Sequence, residues 1–407
     1  MKNKNISFKL NSNRITYLMN LYSLNRDEFI ELIHGNRKRI IFTTNQLKHA
    51  LIKKTDVELN VIKLIDKTFN KGLTWYISKR DLPDPKQSSI FFRKDSFNSE
   101  LDFESKKMVT KYEELKIEIQ TLCKFINFTP KQIISSYSIK DNPKQVAHEV
   151  RALYNKTEQK LIEEKIIKKV NTPKEFLKNS IRILEALNIF IFEFIETWNK
   201  KNKASFNGFY TTPNIIVIKR QKFLRREIFT LFHELAHYLL KFEEIDDVYD
   251  NEYNNKNTIE KWCHEFSFYF LIDSFKQEFV NLSKTNSNNN FHKDVIHKFY
   301  KNTYLSYSAF YTRLRIENKI SQTDYDNRIE DIKSILEKLK HEEEQKRRLE
   351  RELAKEQKID FFPPKPIESN LFKEIVKINY FEGNINESRL RDFLHISDKR
   401  SIDSVIY

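Results

Sequence analysis

The chain has 407 residues, a formal net charge of +15, four glycines and nine prolines. This length is enough for two or three domains, and so little glycine and proline favours helices over a turn-rich all-β fold. The two cysteines are too few to form a disulfide framework. No apolar run approaches the roughly 18 residues that a membrane span needs, and the first residues do not have the pattern of a secretory signal. We therefore expect a cytoplasmic protein that does not cross a membrane. Its positive charge is compatible with an acidic protein or a nucleic acid as partner.

The N-terminal part of the chain is basic and helical in pattern. Residues 1–85 hold 16 Lys and Arg against 8 Asp and Glu, and amphipathic runs such as RITYLMNLY and ELNVIKLIDKTF indicate helices. We interpret 1–85 as a basic helical domain. Pro83 and Pro85 interrupt the pattern, and 86–170 is predicted to be a helical connector.

The pattern changes after residue 170. Thr172 before Pro173 is typical of a helix N-terminus, with threonine as cap and proline at the first helical position. The runs 189–195 and 214–220 are β-branched and aromatic and predict strands. KFLRREIFTLFHELAHYLLKF and TIEKWCHEFSFYFLI predict two apolar helices. We place a core domain at 171–285 and a helical extension of it at 286–323.

The C-terminal part begins with a long charged segment. Residues 324–361 are predicted to form one long solvated helix, supported by charge pairs four residues apart. A coiled coil is disfavoured because the apolar heptad pattern fades after Leu339. The last residues, 362–407, are predicted to be a small helical segment.

The sequence His233-Glu234-Leu235-Ala236-His237 carries the chemistry. Residues four apart on a helix project from one face, so the two imidazoles can bind one metal ion. Glu234 lies about 100° round the helix from His233, where it can act as a general base on water rather than as a ligand. Zinc needs a third protein ligand and one open position to be catalytic. A helix with two unrelated histidines is the plain alternative, but such polar groups within so apolar a helix need partners, and a metal supplies them.

The third ligand is less certain from the sequence. Glycine and a third histidine would follow HExxH in a metzincin, but Leu240 and Glu243 stand there. A glutamate on the next helix is the other common solution, and Glu260 begins that helix. We favour Glu260 over the other candidates and read His264 as a partner that orients a ligand, although His264 is itself the main competitor. The remaining candidates are Glu252 in the preceding loop and Glu265, which projects about 140° away from Glu260.

These residues resemble the ImmA/IrrE metallopeptidases, which typically show FTxxHExxHxxL followed by ExxAN/DxFAxxLL. The chain departs from the second pattern at Cys263, His264 and Ser267. The resemblance covers 171–323 well and the flanks loosely, and SSIFFRKDSF (88–97) resembles a further family element. The matching positions are Phe229, Thr230, His233, Glu234, His237 and Leu240 in the first block and Glu260, Phe266 and Leu271 in the second.

The resemblance implies a fold and a function. The fold would be mainly α with a small β-sheet (α+β), with a zincin-like catalytic domain flanked by helical domains. The protein would be a zinc-dependent (Zn2+) endopeptidase that cleaves a helix-turn-helix repressor or antitoxin encoded nearby, derepressing mobile-element, phage or stress genes. Residues 1–85 would be a degenerate helix-turn-helix that binds DNA, although no clean recognition helix is visible and a docking domain fits equally well.

An alternative function and the choice of oxyanion donor stay open at this point. A non-catalytic DNA- or protein-binding regulator built on the same fold is the alternative, against which Glu234 argues, because a scaffold has no use for a general base. We also expect the substrate to lie as an extended segment along an edge of the small sheet, formed by 189–195 or 214–220. Tyr238, Tyr311 and Arg313 are candidate oxyanion donors among which the sequence does not choose.

Overall fold

A computed structural model describes residues 6–35, 37, 40–82, 101–170, 172–196, 203–243, 258–285, 291–356, 365–397 and 400–403. The chain divides into two compact units. The first comprises Met1–Glu118 with Lys201–Ser205, and the second comprises Ile119–Lys200 with Phe206–Tyr407. Among the described residues, no helix is long and apolar enough to cross a membrane.

The first unit is a group of short helices with a two-stranded antiparallel sheet. Asn25 and Thr43 each begin a helix with a capping box, in which the cap side chain and the side chain three residues later bond each other's backbone amides. Phe29 stacks on Phe69 in the interior, with ring centroids 5.2 Å apart. The elements are β1 (Ser7–Lys9), α1 (Ser12–Leu21), α2 (Arg26–His34), α3 (Thr44–Ile52), β2 (Asp56–Glu58) and α4 (Leu59–Phe69).

The division between the units falls within the next helix, α5 (Phe103–Phe125). The second unit begins with two more helices before its sheet, and Thr172 caps the second of them with Pro173 in the first turn, as the sequence predicts. The remaining elements are α6 (Pro143–Glu163), α7 (Pro173–Ala186), β3 (Phe190–Phe194), β4 (Gly208–Thr211), β5 (Ile215–Lys219), α8 (Leu224–Leu240), α9 (Thr258–Ile272), a 3-10 turn (Asp273–Phe275), α10 (Lys276–Val280), α11 (Lys293–Asn302), α12 (Tyr307–Ile316), α13 (Gln322–Glu356), α14 (Asn370–Phe381) and α15 (Glu387–Phe393).

A three-stranded sheet in the order β3–β5–β4 supports the second unit. β3 pairs with β5 in parallel, and β4 pairs with β5 antiparallel. The backbone amide of Glu193 on β3 also donates to the carbonyl of Ile367, 2.8 Å away. All residues of β3 and β4 are buried, as expected for a sheet covered by helices.

Helix α8 lies at the centre of this unit and contacts β4, β5, α7 and α9. Aromatic packing fixes α8 against α9 and α6: Phe232 stacks on Phe270 at 4.3 Å, and Tyr154 meets both rings edge-on. The Tyr154 hydroxyl is satisfied by Ser180 at 2.8 Å. A helix so enclosed has little freedom to rotate, so its polar side chains are held in fixed positions.

The mainly α fold with small sheets is confirmed, but two details differ from expectation. The prediction that 214–220 could form an edge of the sheet is wrong, because these residues form β5, which is the central strand. The strand beside α8 at the end of the sheet is β4, which the sequence did not predict. Because β4 is buried, a substrate strand could pair with it only after those residues became exposed. The predicted element at 88–97 lies outside the described residues.

Candidate metal centre

The two motif histidines lie one helical turn apart on α8 and are both buried. Their imidazole Nε2 atoms approach each other to 3.2 Å. Glu260, in the first turn of α9, faces them with both carboxylate oxygens: Oε2 lies 3.0 Å from Nε2 of His233 and Oε1 lies 3.1 Å from Nε2 of His237. Two nitrogen donors and one carboxylate therefore converge on one point between two packed helices.

The spacing of these atoms fits a tetrahedral metal ion. With arms of about 2.0–2.1 Å, as zinc makes to His nitrogen and carboxylate oxygen, the donors of a tetrahedron are about 3.3–3.4 Å apart. The observed separations lie close to that value: the two nitrogens are 3.2 Å apart, and each is 3.0–3.1 Å from a different oxygen of Glu260. Two imidazoles and one carboxylate are also a donor set that suits zinc. The residues present therefore fit a zinc ion with one coordination position left over.

Charge is concentrated at the same point. Burial raises the pKa of Glu260, but the two imidazoles outweigh burial and hold that pKa well below its ordinary value. Burial lowers the pKa of His237, but the adjacent Cys263 thiol and Glu260 outweigh it and hold the pKa well above its ordinary value. The buried carboxylate thus draws positive charge to this point, either as a proton on an imidazole or as a metal cation.

His264 stands at the border of the site. Its ligand atom lies within 4.8 Å of those of His233 and Glu260, a group that could also hold a metal ion. Its ring lies between two neighbours, 4.6 Å from the His233 ring and 5.7 Å from the Phe229 ring. Burial and the two other imidazoles lower the pKa of His264 to about 3, despite the opposing charge of Glu260. The separations of 3.0–3.2 Å among His233, His237 and Glu260 are close to the roughly 3.3 Å between ligands at tetrahedral angles, which favours these three residues as the ligands.

The other carboxylates considered from the sequence are placed differently. Glu265 accepts from Arg313 at 2.5 Å and lies 3.7 Å from Lys144, in an ion cluster of its own. Glu243 accepts from the Thr211 hydroxyl and from the amide and hydroxyl of Thr212 at 2.7–2.9 Å, tying the end of α8 to the turn after β4. Glu252 lies outside the described residues.

The candidate oxyanion donors have contacts of their own. Arg313 donates to Glu265 and Glu317. Tyr238 lies edge-on to Tyr210, with centroids 5.8 Å apart. The Tyr311 hydroxyl accepts from Arg328 at 3.5 Å. These contacts do not single out any of the three as a group that faces the histidines.

Glu234 is buried on α8 next to His233, and it packs against a residue that the sequence did not single out. Gly208 begins β4, and a Cβ atom added there would lie 3.0 Å from Cγ and 3.0 Å from Oε1 of Glu234, and 2.8 Å from Cγ2 of Thr230. Glycine therefore allows the backbone of β4 to lie directly against the Glu234 side chain. The only sequence signal for this contact is a single glycine in the run SFNGFYTTP, between the two predicted strands.

A buried pair of helix-borne histidines facing a carboxylate from the next helix has the arrangement of a metallopeptidase centre. Residues 185–281 match the family model Peptidase_M78, described as an IrrE N-terminal-like domain. The match confirms the resemblance over these residues, and this part of the chain is similar to a peptidase domain of the IrrE type. Comparisons with curated proteins and with solved structures gave no match.

Proposed function

We propose that the protein is a zinc-dependent endopeptidase in which His233, His237 and Glu260 hold the metal and Glu234 is the general base. The observation that carries this proposal is the convergence of two imidazole nitrogens and one carboxylate group, with separations of 3.0–3.2 Å. Glu234 lies on the same helix, one residue from the first ligand and about 100° round from it. A carboxylate at that position serves catalysis better than coordination.

The reaction follows from these positions. A zinc ion held by His233, His237 and Glu260 would supply Lewis acidity, which polarises a peptide carbonyl and lowers the pKa of water toward about 7. The Glu234 carboxylate accepts a proton from the attacking water and passes it to the departing amine as the C–N bond breaks. The backbone of β4 at Gly208 lies directly against one side of the Glu234 side chain. The low polarity of the buried site strengthens each of these charge interactions.

We propose a helix-turn-helix repressor or antitoxin encoded nearby as the substrate. The resemblance to ImmA/IrrE metallopeptidases supports this, together with the matched peptidase domain. The test is to mix full-length protein with each regulator encoded beside its gene and to follow cleavage by mass spectrometry. Cleavage by the wild type and by Glu278→Gln, an exposed control on α10, but not by Glu234→Gln, is expected. If no regulator is cut in the presence of zinc, the substrate proposal is wrong.

A second candidate function is DNA binding by the first unit. A non-catalytic DNA-binding regulator built on the same fold would depend on the same activity. Helix α3 carries no acidic residue and exposes Asn45, Gln46, Lys48 and His49. The Thr44 hydroxyl donates to Asp27 on α2 at 2.7 Å, which fixes the two helices to each other. Nine residues separate α2 from α3, more than the three or four of an ordinary helix-turn-helix. The composition of α3 therefore favours DNA binding, while its connection does not.

A charge reversal on α3 tests this second function. Lys48→Glu should weaken binding of duplex DNA and reduce the dependence of its affinity on salt by about one unit of slope, because one phosphate contact is lost. Lys63→Glu on α4 is the control, since it makes the same charge change on another helix. Equal weakening by both variants, or no affinity at low salt, would mean that α3 does not contact DNA.

A further inference from the structure

Helix α13 carries exposed apolar side chains along much of its length. Its first part packs against the core of the second unit through Tyr325 and Ile332. From Leu339 onward, the side chains that the structure describes on this helix are exposed. Four large apolar side chains on the helix are between 51 and 60 % exposed, namely Ile335, Leu339, Leu349 and Leu353.

The spacing of these residues is regular. Together with two charged residues between them they follow alternating steps of four and three, which is the heptad spacing of a coiled-coil seam. We name this set the α13 stripe. It consists of Ile335, Leu339, Glu342, Lys346, Leu349 and Leu353. The apolar pattern is therefore interrupted after Leu339 by two charged positions and resumes at Leu349 in the same register.

One residue on the opposite side of the helix forms an ion pair with the second unit. Glu344, between the two charged positions, lies 3.4 Å from the ammonium of Lys222, whose side chain is largely buried. Glu344 is about 180° round the helix from the middle of the stripe. The apolar side chains of the stripe are more than half exposed, so a partner can approach them.

We propose that the α13 stripe pairs with the same stripe of a second copy of the chain in an antiparallel coiled coil. Centred on residue 344, this pairing places Ile335 opposite the second copy's Leu353, and Leu339 opposite its Leu349. In the middle, Glu342 meets the second copy's Lys346. The sequence of the stripe is thus complementary to its own reverse, with apolar layers outside and opposite charges inside.

The charges select this arrangement over the parallel one. Two parallel helices in register would bring Glu342 against Glu342 and Lys346 against Lys346, and like charges facing each other across an interface are strongly unfavourable. The antiparallel pairing replaces both contacts with opposite charges. It also brings Lys338 beside Glu352 of the other copy, flanking the seam. Polar residues within a seam commonly set orientation and register in this way at some cost in stability.

Sedimentation velocity on the full chain tests whether the pair forms. Between about 1 and 100 µM, a range that detects micromolar affinity, the mass should rise from the 49.2 kDa of one chain toward twice that value. A chain that stays monomeric throughout would overturn the proposal and leave the stripe to a helix of some other protein.

Charge swaps identify the surface. Glu342→Lys and Lys346→Glu should each raise the dissociation constant by about tenfold or more, because each places like charges opposite one another. The double swap should restore dimerisation, and so should a mixture of the two single variants. Lys333→Glu is the matched control on another face of α13 and should dimerise like the wild type. If the dissociation constant of the dimer is unchanged by both single swaps, the interface lies elsewhere.

Single cysteines determine the direction of the two helices. In the antiparallel pairing Gln345 lies near Gln345 of the second copy, so Gln345→Cys should form an interchain disulfide on mild oxidation. Leu339→Cys should not, because its partner is Leu349, whereas a parallel pair would cross-link there. The native Cys123 and Cys263 are buried and give little background. Cross-linking at 339 without cross-linking at 345 would refute the antiparallel arrangement.

Discussion

Replacing Gly208 with alanine tests how the general base is positioned. The new Cβ would lie 2.8 Å from Cγ2 of Thr230 and 3.0 Å from Cγ of Glu234, whereas carbon atoms in comfortable contact are about 3.5–4.0 Å apart. Both neighbours are buried on α8, so neither side chain can move away into solvent. We expect overpacking to lower the free energy of unfolding by about 1–3 kcal/mol.

A second variant separates the two contacts. Thr230→Ser removes Cγ2 and keeps the hydroxyl, which donates to the carbonyl of Arg226 at 3.1 Å. The double variant Gly208→Ala/Thr230→Ser should therefore regain part of the lost stability, measured by urea unfolding. The contact with Glu234 persists in it, so the general base stays displaced.

Activity should follow the Glu234 contact rather than stability. A displacement of about 1 Å in a reacting group can lower the rate about a hundredfold, so kcat on a cleaved regulator should fall about 10- to 100-fold in both alanine variants, with zinc content unchanged. If Gly208→Ala keeps the kcat of the wild type, or if Thr230→Ser restores kcat together with stability, Glu234 is not positioned by this contact.

Three further predictions concern single residues. Burial raises the pKa of Glu227 to about 8, with the Glu193 carboxylate adding to the effect. The folded state therefore keeps a proton that the unfolded chain releases above about pH 4.5, so the free energy of unfolding should fall by about 1–3 kcal/mol from pH 6 to pH 8. In urea titrations at these two pH values, a Glu227→Gln variant should not show this fall. Thr172→Ala should cost about 1 kcal/mol of stability by removing the cap of α7, and Thr172→Ser should cost much less; equal losses would show that the hydroxyl is not what matters. His264→Asn should still bind one zinc ion per chain by elemental mass spectrometry, because the proposed ligands His233, His237 and Glu260 remain, and loss of the zinc would make His264 a ligand.

The sequence predicted the helices of the core well because their apolar pattern is strong. TIEKWCHEFSFYFLI coincides with α9, and the run 222–242 exceeds α8 by two residues at each end. The two runs of β-branched and aromatic residues are β3 and β5, each shortened by one residue at either end. In these elements the local pattern and the tertiary packing favour the same structure.

The elements that the sequence did not predict are short or depend on pairing with distant parts of the chain. β1 and β2 have three residues each and β4 has four, too few for a period-two alternation to stand out. The central position of β5 comes from pairing across the chain, which local pattern does not encode. The contact between Gly208 and Glu234 is likewise not encoded locally, since the two residues lie 26 positions apart in the chain.

The candidate site shows the same division. A helix fixes the spacing of His233 and His237, so the sequence alone brings them to one face. The approach of Glu260 depends on how α9 packs against α8 through side chains such as Phe232 and Phe270. The sequence therefore left Glu260, His264, Glu252 and Glu265 as alternatives.

The most direct test of the central claim is the zinc content of three full-length proteins, dialysed against the same trace-metal buffer and assayed for cleavage of the same regulator. The wild type should hold one zinc ion per chain and cleave. Glu234→Gln should hold the same zinc without cleaving, because an amide cannot accept the proton of water. His237→Ala should lose the zinc and, with it, some stability. Zinc lost equally from Glu234→Gln and His237→Ala, or retained in both, would contradict the assignment of base and ligand.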